Sequence, residues 1–468
     1  AKGTNELAFS VADVASLKTL DVKGSGTVEF TDSFTALETL TVTSGTVGVI
    51  AGIDATKTTV KTGAGEDTIT ISTLSVANIT EKAIDLGAGN DELITATGFT
   101  VTAASATING GAGTEDIFSI LTVDAIDTKL SLSTNATLFK SKVTGFEKLE
   151  LTGAPAAGSA TVNVGNLGFN YVIATADAVA NKLTIADIAN KGTVELNDSS
   201  NSAATDAIDV VVKDAALAAS TADELNLVLN ATAATGEHVG TITVANVETI
   251  NISTVDLDTT DKIDAATTIV LTATAAKTIT VTGDAGLTLN GATNNAVTSV
   301  DASKMTGDLT FTLINDSMTV KGGAGDDVFT IGTGIDLAVI SGGTGDDTYK
   351  FTGASTNKNN YTVLKEVGAG DKIDLSGGTV SSTSFVNTKI TLSAGATEST
   401  QAYLDQAMSQ LAAGQTGWFT YGGNTFITTD VGTNSTTFTD GTDFVVMITG
   451  VVDLSKATYD AGNILTIA

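Results

Sequence analysis

Cysteine is absent from this chain of 468 residues, and proline occurs once, at Pro155. Without cysteine no disulfide can brace the fold, so a chain of this length needs another source of rigidity, such as metal ions held between turns. Because proline is scarce and glycine, threonine, alanine, valine and serine dominate, we expect strands and turns to outnumber helices.

Arginine is also absent, since every basic residue is a lysine. The 53 acidic residues exceed the 23 basic ones and give a net charge of −30. A surface of this sign, with no guanidinium group to hold phosphate through two hydrogen bonds, argues against nucleic acid as a partner. Carboxylates in such excess repel one another in a compact state, and bound divalent cations would offset that repulsion.

Histidine occurs once, as His238, which follows Glu237 in a polar stretch and is expected to be a solvated loop residue. A single histidine excludes the His-Glu-x-x-His site of zinc proteases. The sequence also lacks the Gly-x-Ser-x-Gly nucleophile elbow and the phosphate-binding Gly-x-x-x-x-Gly-Lys-Ser/Thr loop. We therefore predict that the protein is not an enzyme and has no catalytic residues.

Long apolar runs are missing too. None reaches the ~18–20 residues that a membrane-spanning helix needs, so we predict no membrane span. Residues 1–7 lack an initiator methionine and the apolar segment of a secretory signal, and we expect Ala1 to begin a fragment or a processed chain. A chain of this length is too long for one compact core unless it extends in one dimension as a solenoid.

The strongest pattern lies between residues 321 and 350. The nonapeptide Gly-Gly-x-Gly-x-Asp-x-apolar-x occurs at 322–330 and 342–350, with a weaker copy at 332–339. This is the RTX repeat, typical of calcium-binding parallel β-rolls. Glycine allows the tight turn and brings carbonyls close to an ion, while aspartate supplies the anionic oxygens that Ca²⁺ prefers. The candidate ligands are Gly322, Gly323, Gly325, Asp326, Asp327, Gly334, Asp336, Gly342, Gly343, Gly345, Asp346 and Asp347.

The spacing of these copies predicts how they stack. Asp327 and Asp347 should lie on one edge in consecutive turns, with Asp336 on the opposite edge. The apolar residue after each turn should point inward, and these residues are Phe329, Tyr349 and, in the weaker copy, Leu337 or Val339. The alternative is a set of Gly/Asp hairpin turns without metal, which would pair the strands antiparallel.

A second glycine ladder precedes this region. Gly63, Gly87 and Gly111 follow one another at steps of 24, which predicts three turns stacked along a single edge. Two of the three copies lack one glycine, so calcium and a metal-free edge both stay open here. The third copy places Glu115 at the acidic position, with Asp116 after it. The candidate ligands are Gly63, Gly65, Asp67, Gly87, Gly89, Asp91, Gly111, Gly113, Glu115 and Asp116.

Residues 367–376 look like a last half-turn of the roll, which makes Asp371 and Asp374 further candidates. A closing cap follows, with a helix predicted over 398–411 and Thr397 as its N-cap. Trp418 is expected in the cap core or, alternatively, in a carbohydrate site.

The sequence divides into four predicted segments. They are a β-helical domain with the glycine ladder (1–155), a β-rich middle segment (156–245), a β-helix with the β-roll (246–375) and the C-terminal cap (376–468).

These motifs resemble those of RTX-type S-layer proteins of Gram-negative bacteria, known from Caulobacter and Campylobacter. The less generic stretches that carry the resemblance are 278–289, 297–307, 370–375, 403–405, 418–425 and 463–468. The resemblance covers 247–468 well and the first half more loosely. It implies an all-β fold, an elongated right-handed parallel β-helix or β-roll solenoid with RTX calcium turns and a C-terminal cap containing one helix.

The resemblance also implies several Ca²⁺ ions, planar self-assembly in a cell-surface S-layer, and export by type I secretion under a signal within 376–468. A separate N-terminal domain, which nothing here matches, would anchor the lattice to lipopolysaccharide. The residues implied as ligands are Asp327, Asp347 and Asp336 through side chains, and Gly322, Gly325, Gly342 and Gly345 through carbonyls. The alternative is an RTX adhesin or other secreted RTX protein whose working domain precedes Ala1, because fold alone does not separate the two.

Overall fold

The computed structural model describes most of the chain, and every structural statement below concerns these residues only. They are residues 5–7, 16–24, 26–30, 34, 36–43, 47–73, 80–153, 155, 158–175, 182–197, 207–217, 220–231, 237–257, 266–291, 296–353, 359–377, 384–393, 399–432 and 436–468. Strands make up 45% of the structure and helices 8%, which confirms a mostly β protein. No helix among the described residues is long and apolar enough to cross a membrane.

The chain divides into two compact units. The first comprises Ala1–Leu227 with Gly240–Thr243, and the second comprises Val228–Val239 with Val244–Ala468. The four segments predicted from the sequence are a different, finer division and stay a prediction. Strands β19 (Glu224–Ala231) and β20 (Glu237–Val244) lie where the two units divide. His238, which we expected in a loop, therefore lies within a strand.

The first unit consists mainly of short strands. In chain order they are β1 (Asn5–Leu7), β2 (Thr19–Val22), β3 (Gly26–Phe30), β4 (Thr39–Val42), β5 (Val47–Asp54), β6 (Thr59–Lys61), β7 (Thr68–Thr73), β8 (Ile84–Asp85), β9 (Glu92–Ile94), β10 (Ile108–Asn109), β11 (Ile117–Leu121), β12 (Val143–Thr144), β13 (Lys148–Thr152), β14 (Ser159–Asn163), β15 (Tyr171–Ala174), β16 (Lys182–Ile188), β17 (Thr193–Asn197) and β18 (Ala207–Val212).

Consecutive strands of the first unit alternate between sheets. The odd-numbered strands β1 to β17 pair in order within one sheet. The even-numbered strands β2 to β12 form a second sheet, and β14, β16 and β18 form a third. All these pairings are parallel. Successive side chains of a strand point to opposite faces of the sheet, which explains the packing. In β13, Leu149 and Leu151 are buried, whereas Glu150 between them is partly exposed.

Three helices of the first unit were not predicted. They are α1 (Thr122–Ala125), α2 (Ser133–Lys142) and α3 (Val164–Leu167). Helix α2 has the sequence Ser-Thr-Asn-Ala-Thr-Leu-Phe-Lys-Ser-Lys, and only Ala136 and Phe139 are buried on it. Such a polar, threonine-rich stretch lacks the wide apolar stripe by which a helix is recognised in a sequence.

The second unit begins with regular strands and ends in a cap. Its strands after β20 are β21 (Thr249–Asp256), β22 (Ala266–Thr272), β23 (Thr278–Gly283), β24 (Gly286–Gly291), β25 (Ser299–Met305), β26 (Leu309–Thr312), β27 (Thr319–Lys321), β28 (Val328–Ile331), β29 (Val339–Ser341), β30 (Thr348–Phe351), β31 (Thr362–Lys365), β32 (Lys372–Asp374), β33 (Ser384–Phe385), β34 (Gln415–Tyr421), β35 (Asn424–Thr429), β36 (Phe444–Ile448), β37 (Thr458–Tyr459) and β38 (Ile464–Thr466).

Strands of the second unit also alternate between two sheets. The odd-numbered strands β21 to β31 pair in parallel, and so do the even-numbered strands β22 to β32. The hairpin alternative for residues 322–350 is therefore wrong. Among the described residues, β34, β35 and β36 form an antiparallel meander in the cap, and β38 pairs antiparallel with β32 and β37.

The cap packs around α4 (Thr400–Met408), which is shorter than the predicted 398–411. Its N-cap is Ser399, whose hydroxyl accepts a hydrogen bond from the Ala402 N–H at 3.2 Å. The predicted cap Thr397 and residue Glu398 lie outside the described residues. The side chain of Trp418 is buried and its Nε1 donates to the carbonyl of Asn387 at 2.9 Å, but the ring also borders a surface pocket with Asn387 and Lys389, so both predicted roles stay open.

Candidate metal centre

Glycine turns of the second unit bring the backbone of one turn against the next. Gly343 has φ +109° and Gly345 has φ +129°, which side-chain-bearing residues rarely adopt. A Cβ on either residue would come within 3.0 Å of a carbonyl oxygen of the preceding turn, that of Gly323 or of Gly325. Only glycine fits, and the result is a row of carbonyl oxygens that face the next turn.

Asp327, Asp347 and Asp371 form what we call the second aspartate column. The N–H of Asp327 donates to Asp347 Oδ1 at 3.0 Å, and the N–H of Asp347 donates to Asp371 Oδ1 at 2.9 Å. Asp327 Oδ1 accepts in turn from the Leu309 N–H at 2.7 Å. Asp327 and Asp347 thus lie on one edge in consecutive turns, as predicted, and Asp371 continues the column after them.

A second, exposed row of carboxylates runs beside this buried column. The N–H of Asp326 donates to Asp308 Oδ1 at 2.7 Å, and the N–H of Asp346 donates to Asp326 Oδ1 at 2.8 Å. A Cβ on Gly370 would collide with Asp346 Oδ1, so the row also contacts the following turn. Carboxylates therefore flank the glycine turns on a buried side and on an exposed side.

Asp67, Asp91 and Asp116 form the first aspartate column, in the first unit. The N–H of Asp67 donates to Asp91 Oδ1 at 2.8 Å, and the N–H of Asp91 donates to Asp116 Oδ1 at 2.8 Å. The Asp116 N–H donates to Glu147 Oε2 at 3.0 Å and so extends the row by one residue. The column forms because the strands that follow these aspartates, β7, β9 and β11, pair in parallel register.

The glycines of this ladder stack along a single edge, as their spacing predicted. The Ala88 N–H donates to the carbonyl of Gly63 at 2.7 Å, and the Ala112 N–H donates to that of Gly87 at 2.8 Å. A Cβ on Gly89 would collide with the carbonyl of Gly65, and one on Gly111 or Gly113 would collide with the carbonyl of Gly87 or Gly89. Backbone oxygens therefore face the next turn here as well.

One position of the first column corrects the sequence analysis. We expected Glu115 at the acidic position, but its side chain is 58% exposed and lies 3.4 Å from Lys148 Nζ. Asp116 is fully buried and takes the place in the column. The reason is register, because Ile117 pairs with Glu92, the residue that directly follows Asp91. The third turn is thus one residue longer than the others.

Burial raises the pKa of several column carboxylates. The pKa of Asp91 and that of Asp347 rise to about 7, and the pKa of Asp327 rises to about 6. The pKa of Asp371 is raised as well. Loss of solvation is the largest cause in each case, and the neighbouring carboxylates add to it. A bound cation would remove this penalty.

The weaker nonapeptide copy has a different geometry. Asp336 lies apart from the column, and its N–H donates to Asp316 Oδ1 at 2.9 Å. Among the described residues, no atom lies within 4 Å of a Cβ built on Gly334, although the turn itself is stacked, because the Ser317 N–H donates to the Asp336 carbonyl at 2.8 Å. The prediction of Leu337 or Val339 as the inward residue is wrong. Leu337 is 46% exposed with φ +58°, and the buried residues are Ala338 and Ile340.

Asp374 is buried but separate from the column. Its Oδ1 accepts from the Ser376 N–H at 2.8 Å, and its Oδ2 lies 3.8 Å from Lys350 Nζ. A lysine beside a carboxylate offsets the charge that a cation would otherwise balance. Metal binding by Asp336 and by Asp374 stays a prediction.

The two columns suit a hard cation. Among the described residues, Asp91, Asp116 and Asp347 each keep a buried Oδ2 without a hydrogen-bond partner, which is costly unless something binds there. No three acidic or histidine side chains of the described residues converge on one point. A cation would therefore also need the glycine carbonyls, and carboxylate and carbonyl oxygens are the ligand set of Ca²⁺.

Asp308 lies at a turn directly before β26, where the sequence allows either a further ion ligand or an ordinary Asx turn, and it continues the exposed row. Sequence reasoning missed one group at these edges. The hydroxyl of Tyr349 accepts from the Gly342 N–H at 3.0 Å, although the nonapeptide pattern marks this position only as apolar. Only the folded turn shows that a phenol at this place reaches back to the glycines.

Fold and site together define a mostly β protein with parallel strands and two glycine-lined carboxylate columns. No protein-family model matches this chain, and no curated protein matches it.

Proposed function

We propose that this protein is a calcium-dependent structural protein that assembles into a two-dimensional S-layer on the surface of a Gram-negative bacterium. The observation that carries the proposal is the pair of buried aspartate columns, in which carboxylates of successive turns lie against glycine carbonyls. Strands that alternate between parallel sheets support the finer fold, a right-handed parallel β-helix that closes in an RTX β-roll with a C-terminal cap.

Calcium would be held by column aspartates together with backbone carbonyls of the stacked glycines. When bound, the ion supplies the positive charge that the lysine-poor columns lack. The residues that would hold it are Asp67, Asp91, Asp116, Asp327, Asp347 and Asp371 through carboxylates, and Gly63, Gly65, Gly87, Gly89, Gly323, Gly325, Gly343 and Gly345 through carbonyls. The exposed Asp326 and Asp346 add charge beside them.

Folding and export are linked in this proposal. Without the ion, the column carboxylates repel one another and are poorly solvated, so the turns gain little from stacking. Low calcium inside the cell then keeps the chain unfolded for type I secretion, and high calcium outside folds it at the surface. Planar assembly and anchoring to lipopolysaccharide through a separate domain follow from the resemblance to RTX-type S-layer proteins.

The test compares the full chain in chelator and in millimolar Ca²⁺. We expect circular dichroism to show more strand with calcium, calorimetry to detect several binding events, and electron microscopy to show ordered sheets. Equal strand content in both conditions, with no heat of binding, contradicts the proposal. Calcium binding without sheets, and with soluble monomers instead, favours the secreted RTX adhesin.

A matched pair of variants ties the binding to the columns. Asp347→Asn removes one charge from the second column but keeps an oxygen that accepts the Asp327 N–H. Asp256→Asn makes the same change in a carboxylate outside the columns, whose own N–H donates to Asp284 Oδ1 at 2.9 Å. We expect the first variant to bind fewer calcium ions and the second to match the parent chain.

A further inference from the structure

Tyr349 differs from its counterparts in the second column. The inward residue that follows Asp327 is Phe329, and the one that follows Asp371 is Ile373, so only the residue after Asp347 carries a hydroxyl. Phe329 and Tyr349 are partners in the pairing of β28 with β30, and their rings stack with centroids 5.8 Å apart. Both side chains are fully buried. A buried phenol normally finds a hydrogen-bond partner, so this hydroxyl acts on the turn around it.

The Tyr349 hydroxyl lies at the base of the glycine turn. It accepts from the Gly342 N–H at 3.0 Å. A Cβ built on Gly342 would come within 3.0 Å of both the Tyr349 hydroxyl and Asp347 Oδ2. The phenol oxygen and the carboxylate oxygen therefore lie beside the same point of the turn.

The second carboxylate oxygen is satisfied differently along the column. Asp327 Oδ2 accepts from the Gly323 N–H at 2.8 Å, and Asp371 Oδ2 accepts from the Gly368 N–H at 2.8 Å. In both turns a glycine N–H of the same turn occupies this oxygen. Asp347 Oδ2 is buried and has no hydrogen-bond partner among the described residues. The middle turn of the column thus keeps one oxygen open.

We propose that the turn formed by Gly342, Asp347 and Tyr349 is the calcium site of the second column that fills first. Tyr349 is its positioning residue, because its hydroxyl fixes the Gly342 N–H at the base of the turn, beside the open Asp347 Oδ2. This inference rests on the proposed function. At the flanking turns, an ion must first displace a glycine N–H from the carboxylate. A hydrogen bond of ordinary strength corresponds to roughly a five- to tenfold difference in affinity.

The experiment is a titration of the full chain with Tb³⁺, a calcium substitute whose luminescence is sensitised by a nearby tyrosine. Tyr349→Phe removes only the hydroxyl and the sensitising phenol. Tyr361→Phe is the matched control, because this tyrosine also belongs to the second unit but packs its ring on Phe426, with centroids 5.4 Å apart. We expect the parent chain and Tyr361→Phe to show sensitised emission that saturates at the lowest Tb³⁺ concentrations. Tyr349→Phe should lose most of that emission.

Calorimetry with Ca²⁺ supplies a readout that does not depend on the phenol as a sensitiser. We expect the tightest calcium step of the second column to weaken roughly five- to tenfold in Tyr349→Phe. Circular dichroism of this variant in saturating calcium should match the parent chain. Asp347→Asn should lose the same step, which identifies the turn even if Tyr349→Phe folds poorly.

The outcomes separate the inference from the proposed function. If Tyr349→Phe keeps parental emission and calcium affinity, or if Asp347→Asn keeps the tightest step, the inference is overturned while calcium binding itself stands. If the parent chain binds neither Tb³⁺ nor Ca²⁺, the proposed function is overturned, and the inference with it.

Discussion

The first and second aspartate columns show two ways to bury a row of carboxylates. Both use a backbone N–H of one turn to hold Oδ1 of the next, at 2.8 to 3.0 Å. They differ at the other oxygen. The first column leaves Oδ2 of Asp91 and Asp116 without a partner among the described residues, whereas the second leaves only that of Asp347. Oδ1 thus joins neighbouring turns, and Oδ2 is the oxygen that would be open to a cation in the proposed function.

The exposed side of the turns differs as well. In the second column it carries Asp326 and Asp346, each joined to the row by a backbone hydrogen bond. The corresponding places of the first ladder hold Glu66, Asn90 and an exposed Glu115. A carboxylate that is already held in place binds a cation more strongly than a mobile or neutral side chain does, because little side-chain conformational freedom is lost on binding. We therefore expect the second column to bind more tightly and the first to be more sensitive to chelation.

Blocking the glycine stack should have the largest effect on this comparison. Gly343→Val in the second column and Gly111→Val in the first both place a Cβ against a carbonyl of the preceding turn and force an unfavourable positive φ. We expect each to lower the free energy of unfolding by about 3 kcal/mol or more. Hydrogen exchange should show lost protection in β28 and β30 for the first variant, and in β9 and β11 for the second.

Gly334→Ala is the control for these variants. It also has a positive φ, +82°, but its Cβ meets no atom within 4 Å among the described residues. The expected loss is therefore only the cost of the left-handed conformation, roughly 1 kcal/mol. Equal losses in all three variants would show that the collision with the carbonyl is unimportant.

The pH dependence of the calcium-free protein gives an intermediate effect. The pKa of Asp91 and Asp347 is about 7 and that of Asp327 about 6 in the fold, against about 4 in the unfolded chain. Between these values the folded state binds more protons than the unfolded state. The contribution of these three carboxylates to the free energy of unfolding should therefore be fully present below pH ~4 and be lost as the pH rises towards 7.

Urea unfolding in chelator across this pH range measures the effect. Asp347→Asn should flatten the pH profile more than Asp91→Asn, because the pKa values of Asp347, of its neighbour Asp327 and of Asp371 are all raised. Saturating calcium should remove most of the decline. A calcium-free stability that rises between pH 4 and 7 would contradict the burial of charged columns.

The smallest effect concerns the corrected position of the first column. Glu115→Gln removes an exposed ion pair with Lys148, and such pairs contribute at most about 0.5–1 kcal/mol. The gain in the thermal midpoint on adding calcium should stay unchanged. Asp116→Asn should reduce that gain, because it removes a column charge. If Glu115→Gln and Asp116→Asn change the gain equally, the assignment of Asp116 to the column is wrong.

The parallel stacking could be predicted from local patterns. Equal steps of 24 residues placed Gly63, Gly87 and Gly111 on one edge, and the repeated nonapeptide placed Asp327 above Asp347. Both succeed because a turn that only glycine can adopt recurs at the spacing of neighbouring strands within one parallel sheet. The core positions Phe329 and Tyr349 followed from strand alternation for the same reason.

Other features depended on contacts that no local pattern contains. Whether Glu115 or Asp116 enters the column is decided by the pairing of Ile117 with Glu92. Leu337 adopts a left-handed conformation two residues before β29, and the inward positions that follow are Ala338 and Ile340. Helix α2 has few apolar residues, so its own sequence is a weak helix signal. Its buried Phe139 packs on the ring of Phe118, with centroids 5.3 Å apart, and this contact is visible only in the fold.

By itself, the sequence determined the repeat length, the glycine turns and the supply of buried carboxylates, because these depend on backbone conformation and residue chemistry within a few positions. Tertiary structure alone decided which oxygen of each aspartate is occupied. Asp327 Oδ2 accepts the Gly323 N–H, whereas Asp347 Oδ2 has no hydrogen-bond partner among the described residues. Such choices arise from hydrogen bonds whose geometry exists only after the turns have packed.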